Sequence, residues 1–147
     1  EQANSILIEA ESSFESGLLG AAAKLYHEGS RMFTRLASRA RDRAKLSLYL
    51  AKASYCDFMR AYCEARELKS SIDDKAVRGQ PAGPEEIGRL RLLTGLAEKC
   101  LRETVKRLDK LRKTCGEAVE EEVGEVVRML AKKVEVFLDF RDEVESL

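Results

Sequence analysis

The sequence predicts an all-α protein of about five helices, and three observations carry that prediction. Apolar residues recur at steps of three and four along most of the 147 residues. Only two prolines occur, Pro81 and Pro84, both in one stretch, so no other proline forces a helix to stop. Charged residues make up 35% of the chain against 44% hydrophobic, which is the balance of a helical domain with a charged exterior and not of a disordered segment.

The first helix is read over residues 3–16, where Ala3, Leu7, Ala10, Phe14 and Gly17 share one face. After the break at Gly17, a second helix from 18 to 37 repeats the period on Leu18, Ala22, Leu25, Tyr26, Gly29, Phe33 and Leu36. No Gly or Pro lies between 30 and 70, so the next turn is placed at Ser38 to Arg41 on Ser38 and the crowded arginines alone. From Asp42 to Leu68 the third helix is apolar around most of its girth, with polar side chains concentrated in a narrow stripe of Lys45, Lys52, Arg60, Glu64 and Glu67. Such a helix needs neighbours on several sides and is expected at the centre of the bundle.

Residues 69–83 keep no period and are expected to form one long connection. Pro84 then suits a first helical position, with Glu85 and Glu86 at the positive end of the macrodipole. The fourth helix follows the seam Ile87, Leu90, Ala97, Leu101, Leu108, Leu111 and is expected to end before Thr114. Thr114 and Glu117 have capping-box spacing and would open a fifth helix on Val119, Val123, Val126, Leu130, Phe137, Phe140 and Val144. The chain is thus read as a single helical domain, 1–147. An N-terminal three-helix unit (1–68) packs, through the loop 69–83, on a C-terminal antiparallel helical hairpin (84–147).

Around the first turn, Ala10, Phe14, Gly17, Leu19, Ala22, Tyr26 and Gly29 stand at the small, aromatic and turn positions of a helical repeat. The segment resembles a single tetratricopeptide-repeat unit, although Ile6 takes the leading aromatic position, Glu9 and Ala10 take the Leu-Gly pair, and no closing Pro follows. With the third helix added, residues 3–68 are also similar to the microtubule-interacting and trafficking (MIT) domain, a three-helix module. Either resemblance implies docking of a partner's helix or tail in a groove between helices. No tandem repetition follows in the second half, which argues against a solenoid.

Reactive constellations are missing from the sequence. Cys56, Cys63, Cys100 and Cys115 form no C-x-x-C pair. Cys56 and Cys63 would stand about 10.5 Å apart along one helix, beyond the roughly 7 Å reach of a disulfide, and all four are read as reduced thiols. His27 is the only histidine and falls off the Ala22, Tyr26, Gly29 stripe, as a surface side chain does. Asp73 and Asp74 read as solvated turn residues. No phosphate-binding glycine loop or nucleophile elbow occurs, so no catalytic, cofactor or metal site is expected and the chain is read as a non-enzyme.

Formal net charge is zero, from 26 basic and 26 acidic residues, so no global field draws the molecule to a polyanion. Two segments are locally basic. Arg31, Arg35, Arg39, Arg41, Arg43 and Lys45 face a single acid, Asp42; Lys99, Arg102, Lys106, Arg107, Lys110, Arg112 and Lys113 face Glu103 and Asp109. The second set is expected to pair across the hairpin with Glu117, Glu120, Glu121, Glu122 and Glu125. Phe33, the one aromatic in either segment, belongs to the apolar face of helix two, so neither segment interleaves surface aromatics as a single-strand binder would.

These readings favour a cytoplasmic, non-catalytic docking or adaptor module whose partner is another protein or a peptide helix. The alternatives are a nucleic-acid-associated subunit using Arg31, Arg35, Arg39, Arg41 and Arg43, and a homo-oligomeric bundle joined through the helix-five seam, which Val127, Val134 and Leu138 widen. No membrane span or signal-like opening is read.

Overall fold

The computed structural model describes residues 2–147, and among these every regular element is helical. The helices are α1 (Gln2–Glu15), α2 (Leu19–Arg39), α3 (Arg43–Val77), α4 (Pro84–Thr114) and α5 (Glu120–Glu145), with a single 3-10 turn at Gly116–Val119 leading into α5.

Glycine ends two of these helices by the same device. Gly17 adopts φ +80° after α1, its N–H bonding Phe14 O at 3.0 Å while Leu18 N–H reaches Ser13 O at 2.9 Å. This double closure needs a left-handed residue, which glycine takes without a Cβ clash. Gly79 repeats it after α3 at φ +76°, with Gly79 N–H on Ala76 O and Gln80 N–H on Lys75 O. At its start α3 is capped by Asp42, whose Oδ1 accepts from Ala44 N–H at 3.1 Å.

The Gly79 cap corrects the expected loop at 69–83: α3 continues to Val77, and the connection is only 78–83. Residues 69–77 show no period because Ile72 is their one fully buried anchor, packed with Ala65, Leu90 and Val144. Their remaining support is polar. Lys69 pairs with Asp73 at 2.9 Å, and Lys75 with Glu86 of α4 at 2.8 Å. The expected capping box at Thr114 is also absent, since the Thr114 hydroxyl donates back to Lys110 O at 2.8 Å within α4. The chain turns instead at Gly116 (φ +53°), and α5 begins with Glu120, Glu121 and Glu122 against its positive end.

α3 is central, as its pattern predicts. Phe58 and Tyr62 of α3 each meet Phe137 of α5 edge-on at 5.2 Å, and Phe14 of α1 reaches Tyr62 at 5.9 Å. On another side Gly29 of α2 comes so close that a Cβ there would sit 3.2 Å from Cys56 Sγ. α4 runs antiparallel to α3 along most of its length, from the Lys75–Glu86 pair at one end to Arg43, Arg107 and Thr114 around a shared cavity at the other. α5 returns antiparallel to α4, where Arg141 meets Glu98 at 2.9 Å. The molecule therefore has α2, α3 and α4 side by side, with α1 and α5 meeting over one face of α3.

A buried polar cluster joins those last two helices. Lys133 of α5, 4% exposed, spends its three N–H bonds on Glu11 Oε1 (2.7 Å), Tyr55 Oη (2.8 Å) and Met129 O (3.2 Å). Glu11 Oε2 in turn accepts from Tyr55 at 2.7 Å and from Tyr26. Burial first, and the Glu11 charge second, hold both tyrosines well above their ordinary value, so they stay protonated donors. Lys52, expected in the polar stripe of α3, is likewise buried, donating to Asn4 Oδ1 at 3.0 Å.

Candidate docking groove

The face of α3 left uncovered by α1 and α5 forms the floor of a groove. At about 100° per residue, Asp57, Ala61, Glu64 and Leu68 fall on the opposite side of α3 from Tyr55 and Tyr62, which carry the contacts to α1 and α5. Four cavities of about 470, 350, 280 and 540 Å3 follow this face from one end to the other, each lined jointly by α3 and α4. Adjacent ones share residues: Arg107, then Asp57, Leu96 and Cys100, then Glu64. Together they mark a groove from Arg43 to Leu68 on α3, about 38 Å long at 1.5 Å per residue.

Leu46, Leu50, Ala61, Leu68, Leu93 and Leu96 supply its apolar lining, interrupted midway by Asp57 and Arg60 of α3 and by Lys99 and Glu103 of α4. The α4 lip adds Leu92, 76% exposed, one turn before Leu96, 50% exposed. The ends carry opposite charge. Arg43, Arg107 and Lys110 line one, with the hydroxyls of Ser47 and Thr114; Glu64, Glu67, Glu85 and Glu86, with Arg89, line the other. On the α2 side, His27 Nδ1 lies 2.8 Å from the guanidinium of Arg60, and Ser30 donates to Asp57 at 2.5 Å. His27 is thus the surface side chain its position predicts, and it fixes a groove wall.

All five arginines proposed from the sequence are exposed, and among the described residues none forms an ion pair. Arg43 faces Arg107 and Lys110 across the groove, so antiparallel packing of α3 on α4 brings the two basic segments to one end of the molecule. Arg31, Arg35 and Arg39 follow one another on α2, starting one turn after His27, and Arg41 stands in the α2–α3 connection.

The expected pairing of the second basic segment with the start of α5 is not formed. Lys113 pairs with Asp109 (3.0 Å), Arg107 with Glu103 (3.1 Å) and Arg102 with Glu98 (2.7 Å), all along α4 itself. Lys106, Lys110 and Lys113 project from the side of α4 opposite to buried Leu101, Thr104 and Leu108, so α5 lies out of their reach. A cavity of about 750 Å3 does sit at the α4–α5 turn, but it is confined to that turn and mixes Glu117, Glu120 and Glu121 with Arg112 and Arg128.

All four cysteines are free thiols, and burial pushes Cys63 up to about 12 and Cys56 higher still, so neither is a ready nucleophile. Among the described residues no three His, Cys, Asp or Glu side chains converge as a metal site would require, and no helix is long and apolar enough to cross a membrane. The Glu11–Lys133 cluster lines none of these cavities, and its donors are spent internally. Sequence reasoning missed it, yet a signal was present: Glu11 and Lys133 each occupy a position of their helix's apolar stripe, between Leu7 and Phe14 and between Leu130 and Phe137. Comparison of the chain with protein-family models, with curated proteins and with solved structures returns no match.

Proposed function

We propose that this chain is a non-catalytic docking module that receives an amphipathic helix of another protein in the groove between α3 and α4. The supporting observation is the groove itself: about 38 Å long, with leucines along its lining, bordered by exposed Leu92 and Leu96, and covered by no helix among the described residues. That length accommodates a helix of up to about 25 residues, and helix-in-groove recognition rests on apolar anchors at such spacing. A nucleic acid fits less well. The arginine-rich end offers phosphate contacts, but a backbone continuing along the groove would meet Glu64, Glu67 and Glu85.

Site-specific photo-crosslinking in the native cell tests this reading. A benzophenone side chain is placed at Leu50 in the groove or at Glu135 on exposed α5. The expected result is one protein adduct from position 50, mapped to a single helical segment of the partner, and none from position 135. Leu96→Glu, at a half-exposed site, should remove the adduct without changing the circular dichroism of the chain. Equal labelling from both positions, adducts only to nucleic acid, or adducts only to a second copy of the chain would overturn the proposal.

A further inference from the structure

The groove's charge is divided lengthwise, and this division specifies its occupant more closely. We infer that the docked helix carries its charge in two blocks, with carboxylates over the Arg43 end and Lys or Arg side chains over the Glu85 end. The inference rests on the docking reading above. Among the described residues Arg43 and Lys110 have no ion-pair partner, and neither do Glu67 and Glu85 at the far end, which outnumber the unpaired Arg89 beside them. Arg43, Lys110, Glu67 and Glu85 are exposed and keep their charges available to an incoming partner.

The ends lie about 38 Å apart along α3, several times the roughly 8 Å screening length at physiological salt. Each end therefore acts on the occupant by itself, although the whole protein is neutral. A uniformly acidic helix would gain at Arg43 and lose at Glu85, and a uniformly basic helix would do the reverse. Only a block-charged helix gains at both. Placed backwards, the same helix sets like charge on like, so the division also fixes its direction and register. Between the ends, Ala61, Leu96 and Cys100 alternate with charges of both signs, Asp57 and Glu103 against Arg60 and Lys99, which balance and leave orientation to the two ends.

Fluorescence anisotropy on the whole chain decides this with two labelled 24-residue peptides of identical composition and identical leucine stripe. One has its acids and bases in two blocks; the other has them interleaved. The block peptide should bind at least tenfold tighter at about 50 mM salt, and the difference should shrink in 500 mM salt as screening rises. Arg43→Glu with Lys110→Glu, both at exposed positions, should erase the preference while leaving weak binding through the floor. Equal affinity for the two peptides would overturn the charge division and leave the groove intact. Tighter binding of a uniformly acidic peptide or an oligonucleotide would overturn it in favour of a single-sign site. Binding of neither peptide, or binding indifferent to Leu96→Glu, would overturn the docking reading as well.

Discussion

Replacing Lys133 by Met removes three hydrogen bonds and one ion pair from the interior while nearly conserving volume. The ammonium contacts Glu11 Oε1, Tyr55 Oη and Met129 O, and its side chain is only 4% exposed, against 14% for Glu11. At a surface such a pair would be worth at most about 1 kcal/mol. Here the substitution strands a carboxylate that keeps only its two tyrosine donors, and removing one partner of a buried pair costs about 3–5 kcal/mol. For a chain of this size that corresponds to a fall in Tm of roughly 6–20 °C. Urea unfolding followed by circular dichroism should show the loss as a lower midpoint with an unchanged slope. Glu11→Gln keeps an acceptor for the tyrosines. Combined with Lys133→Met it should therefore cost less than the sum of the two single changes, with a coupling of about 1–3 kcal/mol. A loss below about 1 kcal/mol for Lys133→Met, or strictly additive changes, would refute the view that this cluster ties α1 and α5 to α3.

Three further outcomes follow from the packing. Phe137→Ala empties a fully buried site between Phe58 and Tyr62 and should cost about 3–5 kcal/mol in the same assay. Gly95→Ala in α4 meets open space on a helical backbone and should stabilise by about 0.5–1 kcal/mol, whereas Gly17→Ala, at φ +80°, should destabilise by about 1–2 kcal/mol. The Lys75 hydrogen bond first, and the Gly83 N–H second, hold Glu86 below the ordinary 4.5. On acidification the unfolded chain takes up this proton before the folded one, so the contribution is complete above 4.5 and fades as pH falls through the lower native value. Glu86→Gln should accordingly lower the urea midpoint at pH 7 and converge with the parent in acid.

The sequence by itself determined the helices, because a three-to-four period is a local property that each segment displays without its neighbours. It also determined which helix lies in the middle, since a helix apolar on most sides has few alternatives. Where local pattern thinned out, at 69–77, helix persisted on one anchor, Ile72, whose burial against Leu90 and Val144 comes from segments distant in sequence. The tertiary structure alone decided the site. Arg43 and Lys110 stand 67 positions apart in the sequence and share a cavity only because α4 lies antiparallel to α3, and the same packing sets four glutamates at the opposite end. It likewise brought together Glu11 and Lys133, each a charge on its helix's apolar stripe, as a largely buried pair. Charges look alike along a chain, and only the surroundings that packing gives them separate a solvated side chain from a buried one or from the lining of a groove.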